Sequence, residues 1–341
     1  MEYRYSTVVD PRHYQTHGLA NGIPLRQHDD PDKEISGALR AQRDWGKFDY
    51  NGGLSDRFSL IRVTIPECLP ERLEIVSYAN EFAFLYDVQD VRGGSFSNAD
   101  ACRFTQDAME EIDLKDNLDG DAVSIPFLKT FGAETILDVT PKPAAQPEKR
   151  LQAQILAEMM SIDPVRAVKT MEVWGRFVRR ASETRARPFG TMREFVPSRV
   201  VDVGELVWFG TVTFAMALTI PEEDLEECME LARPGYAALA LTNDLYSWEK
   251  ERKAAEEKGQ DYIFNAIWVI MEERGVSEQE AKSICREEIR KYVQQYCEIV
   301  EEVQSEPARL SKDTRTYLEA IKYTISGNLV WSIECPRYND F

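Results

Sequence analysis

Between Tyr236 and Lys258 the chain runs for 23 residues without a glycine or a proline, apolar in its first half and charged in its second. Such a stretch can only be a long helix whose first turns are buried. Within it Asn243, Ser247 and Glu251 fall at i, i+4 and i+8, so three oxygen-bearing side chains leave one face from successive turns. Two readings of that row stand side by side. A polar row of this kind is commonly a solvated face. It also suits a hard cation such as Mg²⁺, which takes oxygen ligands, keeps several waters and is often shared with a substrate's phosphates. Asn243 follows the apolar run Ala237 to Leu241, where a buried surface rather than a wet one is expected.

Composition removes several classes of function. With 59 acidic against 41 basic residues in 341 the formal charge is −18, the wrong sign for a nucleic-acid partner. An anionic diphosphate is compatible only if metal ions and a few local cations reverse the field at the site. Six cysteines, at 68, 102, 228, 285, 297 and 335, form no CxxC pair, which argues against zinc or a disulfide framework. The three histidines, 13, 17 and 28, all lie in the first 30 residues, so no His-dependent triad or His-ligated metal is expected elsewhere. No run has the length of a membrane span, and Met1-Glu-Tyr-Arg-Tyr-Ser lacks the apolar core of a signal peptide. A soluble, cytoplasmic protein is the expectation.

Taken in order, residues 1–30 read as an irregular arm. The spacing of Ile35, Leu39, Gln42 and Trp45 predicts an amphipathic helix within Asp32 to Phe48, and a second is expected to open at Pro70-Glu71. That second run, through Leu73, Val76, Tyr78, Phe82, Phe84 and Leu85, is apolar on most sides and ends in Asp87 and Asp90, acids that burial makes costly unless paired or metal-bound. As an isolated D-x-x-D they read equally as a helix end meeting water. Residues 113–148, rich in Asp, Gly and Pro, read as a surface loop within one domain of residues 1–341. Helices are expected over Arg150 to Arg185 and over Met192 to Leu218, the latter weakened by Pro197, Gly204 and Gly210. Another begins at Pro221 and is expected to stop near Pro234-Gly235. Three more follow, Asp261 to Arg274, Ser277 to Gln304 and Leu310 to Cys335.

Four segments carry a family resemblance. Asn243-Asp-x-x-Ser247-x-x-x-Glu251 resembles the second metal-binding motif of class I terpene synthases, with Lys250 and Glu251 in the form usual in fungal members. The segment ending in Asp87 and Asp90 resembles the first aspartate-rich helix of the cyclase domain of fungal bifunctional terpene synthases, although it departs from Asp-Asp-x-x-Asp by one acidic position. Phe195 to Phe209 is similar to the family's diphosphate-sensor segment. Asn328-Leu-Val-Trp331-Ser332 followed by Arg337-Tyr338 is similar to its C-terminal diphosphate-binding pair.

The resemblance implies an all-α fold of about ten or more helices, the class I terpenoid synthase bundle around a central apolar cavity. It implies that Asp87, Asp90, Asn243, Ser247 and Glu251 bind three Mg²⁺. Arg199 would sense the diphosphate, Asp202, Val203 and Gly204 would form a helix break coupled to ionisation, and Lys250, Arg337 and Tyr338 would bind the same group. Phe84, Trp208, Phe209, Asn328 and Trp331 are the cavity candidates; each aromatic reads equally as ordinary core. The implied substrate is geranylgeranyl diphosphate, then its C25 homologue, and a C-terminal prenyltransferase domain absent from this chain is an implied partner. A chain-elongating prenyltransferase and a catalytically silent helical scaffold remain the other readings, and a homodimer is left open.

Overall fold

A computed structural model describes residues 1–47, 52–91, 147–184 and 188–339, excepting the side chains of 86–91, 147–149, 178–179 and 181–184. Ala99 to Ile112 also reads in sequence as a helix; it and the expected surface loop up to residue 146 lie outside these residues. Among those described the chain is helical, with α1 Pro31–Trp45, α2 Leu60–Thr64, α3 Leu73–Val91, α4 Pro147–Ile162, α5 Pro164–Thr184, α6 Met192–Asp202, α7 Glu205–Ala215, α8 Glu222–Lys258, α9 Ala266–Arg274, α10 Glu278–Ser305, α11 Lys312–Glu334 and α12 Pro336–Asn339. The all-α expectation is met. α8 packs between α10 and α11, α1 lies along α3, α5 against α7, and α2 against α11.

Local chemistry sets most of the ends. Asp30 caps α1 by accepting from the Lys33 N–H at 3.3 Å ahead of Pro31, and Gly46 closes it in the left-handed region. Ser277 and Glu280 form a reciprocal capping box on α10, and Ser311 caps α11.

Several expectations need correction. The N-terminal 30 residues are not wholly irregular: β1 (Ser6–Val8) pairs antiparallel with β2 (Arg26–His28), and Leu19 and Leu25 are fully buried. His28 is buried too, with Nε2 3.0 Å from the Cys68 carbonyl and Nδ1 accepting from the Asp30 N–H at 3.0 Å. Helix α1 buries Gly37, Ala38, Ala41, Gln42 and Trp45, while Ile35 and Leu39 are exposed. Close approach decides this, because a Cβ on Gly37 would stand 2.1 Å from the Glu74 carbonyl oxygen of α3, a contact that only a small-residue face allows. α3 begins at Leu73, not at Pro70; the preceding Arg72 is buried, donating to the Phe214 carbonyl and to Asp163 at 2.8 Å each.

The single helix expected over 150–185 is two, because Asp163 caps α5 by accepting from the Arg166 N–H at 3.1 Å and Pro164 takes the first position. The helix expected over 192–218 divides at Val203-Gly204, within the break that the resemblance implies, while Pro197 is accommodated inside α6. Pro234, by contrast, does not end its helix; α8 runs unbroken for 37 residues. The lost hydrogen bond and ring clash, worth ~3 kcal/mol, are offset by tertiary packing of Cys228, Ala232, Tyr236 and Ala237, all buried, and by close contact of Gly235 with Tyr296 and Ile321.

Glu34, on the buried face of α1, accepts from the Arg62 N–H at 3.1 Å and leaves Oε2 without a partner. Burial pushes its carboxyl up to about 7. A folded-state pKa above the unfolded value means that the native state binds the proton more tightly, so this contribution is present below pH 4.5 and is lost as pH rises through 7. Glu34→Gln is therefore expected to stabilise the protein at pH 8 by about 2–3 kcal/mol and to have little effect near pH 4. Paired thermal melts at the two pH values check this.

Candidate active site

The row on α8 folds as its sequence demands. Ser247 is buried and donates its Oγ to Glu251 Oε1 at 2.7 Å, while the Asn265 amide donates to Glu251 Oε2 at 3.0 Å. Both donors are neutral, so they hold the carboxylate without cancelling its charge. Asn243 is half-buried; its Oδ1 accepts from the Arg199 guanidinium at 2.7 Å and its Nδ2 donates to the Tyr338 hydroxyl at 2.6 Å. Because a guanidinium only donates, the amide orientation is set. The donor chemistry of Asn243, Ser247 and Glu251 is all oxygen with one carboxylate, which fits a hard divalent cation.

Arg199 reaches this row because α6 carries it one turn before the helix breaks. Val203 caps α6 by donating to the Arg199 carbonyl at 2.8 Å, and Gly204 (φ 92°, ψ 42°) starts α7 in a conformation that L side chains strain to adopt. The Arg199 side chain is buried and fully engaged, with Nε on Asp244 Oδ1 at 2.8 Å, another nitrogen on Asp202 Oδ2 at 2.6 Å, and the third on Asn243. Burial alone would lower its pKa, but Asp244 and Asp202 outweigh that and raise it. The ring of Phe264 lies 5.9 Å from its Cζ. Asp244 is fully buried and also accepts from the Ala266 N–H at 2.9 Å. Burial pushes its carboxyl up, Arg199 pulls it down, and Glu251 pushes it up again.

The C-terminal pair closes over the other side. α12 places Arg337 with its Cζ 4.5 Å from the Phe84 ring centre, and Tyr338 edge-on to Trp331 at 5.3 Å. Trp331 stacks with Phe84 at 5.8 Å and donates its indole N–H to the Gly53 carbonyl at 3.0 Å. Thus α3, α8, α11 and α12 are joined through Phe84, Trp331, Tyr338 and Asn243. Asp87 and Asp90 lie one and two turns beyond Phe84 on α3; their side chains lie outside the described residues. Lys250 is half-buried beside Glu251.

The remaining cavity candidates stand further along the bundle. Trp208 is half-buried with its indole N–H on Thr324 at 3.3 Å, and Phe209 packs edge-on to Tyr317 at 5.1 Å. Asn328 is half-buried, with Nδ2 lacking a partner. Gly210 is a packing contact rather than a kink, since a Cβ there would lie 3.1 Å from the Trp174 indole nitrogen. Two site residues escaped the sequence reading. Asp244 stood inside the quoted motif without a role. Asn265 is an N-cap before an apolar run, a legible signal missed because the helix was started at Asp261.

The terpene synthase family 2, C-terminal metal-binding family model matches residues 85–295, more than half the chain. The chain belongs to this family of terpene synthases, and its fold is that of class I terpene synthases. Among its relatives, the bifunctional type I diterpene synthase tndC of Aspergillus flavipes is 43% identical over 99% of the chain and 42% of its own length. The fusicoccadiene synthase of Phomopsis amygdali is 43% identical over 99% of the chain and 46% of its own. A bifunctional sesterterpene synthase of Aspergillus aculeatus is 41% identical over 99% and 45%. The chain thus spans less than half the length of these relatives. Among solved structures, a cucumene synthase variant superposes with a TM-score of 0.68 at 16% identity, covering 92% of this chain and 98% of that one. Aristolochene synthase from Penicillium roqueforti gives 0.63 at 18%, covering 96% and 99%.

Proposed function

We propose that the chain is a single Mg²⁺-dependent terpene cyclase domain that ionises geranylgeranyl diphosphate and closes the resulting carbocation to a polycyclic diterpene hydrocarbon, releasing pyrophosphate. Three Mg²⁺ held by Asp87, Asp90, Asn243, Ser247 and Glu251 would supply Lewis acidity to the leaving diphosphate. The observation that carries the reading is the position of Asn243, which bridges Arg199 on α6 and Tyr338 on α12, so one amide ties the oxygen row to both expected diphosphate donors.

The chain's own groups do the rest. Arg199, Lys250, Arg337 and Tyr338 donate charge-assisted or hydroxyl hydrogen bonds to the diphosphate oxygens, binding and orienting the group. As the allylic C–O bond breaks, both electrons stay on the departing oxygen, and these preorganised donors face the charge that develops there. The Asp202-Val203-Gly204 break would link the contact of Arg199 with phosphate to the reacting end of the chain. Phe84, one turn before Asp87, and Trp331, edge-on to Tyr338, would present π faces worth ~0.5–2 kcal/mol each to a cation, and Trp208, Phe209 and Asn328 shape the cavity beyond. Closure excludes water, which would trap the cation as an alcohol. Loss of a proton then yields the hydrocarbon.

The names of the relatives support both a C20 and a C25 substrate, and the word bifunctional in two of them supports a prenyltransferase partner that makes the diphosphate. Among the described residues no helix is long and apolar enough to cross a membrane, and a cytoplasmic location is part of the proposal. The test is incubation of purified protein with Mg²⁺ and either geranylgeranyl or geranylfarnesyl diphosphate, with the organic extract analysed by gas chromatography and mass spectrometry. A cyclic C20 hydrocarbon is expected. A C25 product would move the substrate assignment, longer diphosphates would indicate chain elongation, and no turnover of either would leave a helical scaffold.

A further inference from the structure

Asn265 is fully buried, and its side chain is saturated by contacts that converge on the α8 row. Its Oδ1 accepts from the Ile267 N–H at 2.8 Å, which caps α9. Its Nδ2 donates twice, to the Asp244 main-chain carbonyl at 2.9 Å and to Glu251 Oε2 at 3.0 Å. The two acceptors meet because carbonyls of a helix point toward its C-terminus while side chains tilt toward its N-terminus. The amide cannot be flipped, since that would set its NH₂ against the Ile267 N–H and its oxygen against a carboxylate. A plain cap needs only the Oδ1 half of this side chain; nothing in helix capping requires the other half to reach Glu251.

We propose that Asn265 is a positioning residue for the cation-binding rim. It acts through Glu251: Ser247 fixes one carboxylate oxygen and Asn265 the other, so the plane of the carboxylate is set before any cation arrives. The neighbouring Ala266 N–H holds the Asp244 carboxylate, which in turn holds Arg199, so the first turn of α9 braces both Glu251 and Arg199. Ligand-orienting partners of this kind typically account for ~10–100-fold in metal affinity. The inference rests on the reading of Glu251 given above.

Two substitutions separate positioning from capping. Asn265→Ser retains a good N-cap but ends short of Glu251. Asn265→Asp has the same size and keeps the cap oxygen while replacing the donor by an acceptor. Calorimetric titration of Mg²⁺ in the presence of inorganic pyrophosphate, with Glu251→Gln as reference, reads binding without turnover, and the Mg²⁺ dependence of product formation gives a second readout. Both Asn265 variants are expected to need roughly 10–100-fold more Mg²⁺ for half-saturation, with the serine variant melting close to the parent and the aspartate variant lower, because its buried carboxylate faces Glu251; should the aspartate variant not fold, the serine variant carries the test. If they bind Mg²⁺ as the parent does while Glu251→Gln does not, Asn265 is only a cap and the positioning role is overturned, with the cyclase reading intact. If Glu251→Gln also binds as the parent does, the metal role of Glu251 fails and the inference falls with it.

Discussion

Arg199→Lys is expected to lower the rate of hydrocarbon formation by at least ~10²-fold while leaving most of the protein folded. The guanidinium meets Asp202, Asn243 and Asp244 through three different nitrogens at 2.6–2.8 Å. An ammonium has three donors on one atom and cannot span acceptors placed around a planar fork. Lysine would keep one carboxylate and abandon the rest, leaving buried Asp244 with its Ala266 bond and a weaker countercharge. Removing one partner of a buried ion pair outright costs ~3–5 kcal/mol, so a lysine that retains the charge should lose less than that in stability. Product analysis and a thermal melt on the same preparation separate the two effects. A rate within a few-fold of the parent would remove Arg199 from diphosphate binding.

Asn243→Ala is expected to abolish detectable hydrocarbon, a loss of at least ~10³-fold, with the helical circular dichroism spectrum unchanged. The substitution deletes one oxygen of the α8 row and at once strips a partner from Arg199 and from Tyr338. Alanine is the best helix former, and Asn243 sits mid-helix in a 37-residue segment, so the backbone has no reason to respond. Retained activity would contradict the metal role. Rescue by raised Mg²⁺ would show that the oxygen contributes affinity rather than being obligatory.

Much of this was legible in the sequence for identifiable reasons. Glycine- and proline-free periodicity gave the Tyr236 to Lys258 part of α8, and the i, i+4, i+8 rule placed Asn243, Ser247 and Glu251 on one face without any tertiary information. The break at Asp202-Val203-Gly204 came from the resemblance, since Pro197, Gly204 and Gly210 are all weak points on residue grounds alone. Failures came where the answer depends on a neighbour. Ile35 and Leu39 satisfy an amphipathic pattern, yet α3 approaches so closely that Gly37, Ala38 and Ala41 take the buried side instead. Pro234 reads as a stop, but the packing around it outweighs its local cost. The Asn265 cap was legible locally, but its reach to Glu251 was not, nor was the bond of Asp244 to Arg199, since these partners lie 14 to 45 residues away in sequence. The row on α8 and the Arg337-Tyr338 pair were each visible; that Asn243 touches Tyr338 was not.

Trp331 and Gly53 are 278 positions apart, yet one indole N–H spans them. The glycine turn that receives it also seats Glu81, whose carboxylate accepts from the Gly53 N–H at 2.8 Å, one turn below Phe84. Residues 278 positions apart thus share a hinge-pin in the wall that carries the aromatic faces, and both lie outside residues 85–295, the span of the family-model match. Any version of this domain cut back to residues 85–295 would discard the buttress on both sides.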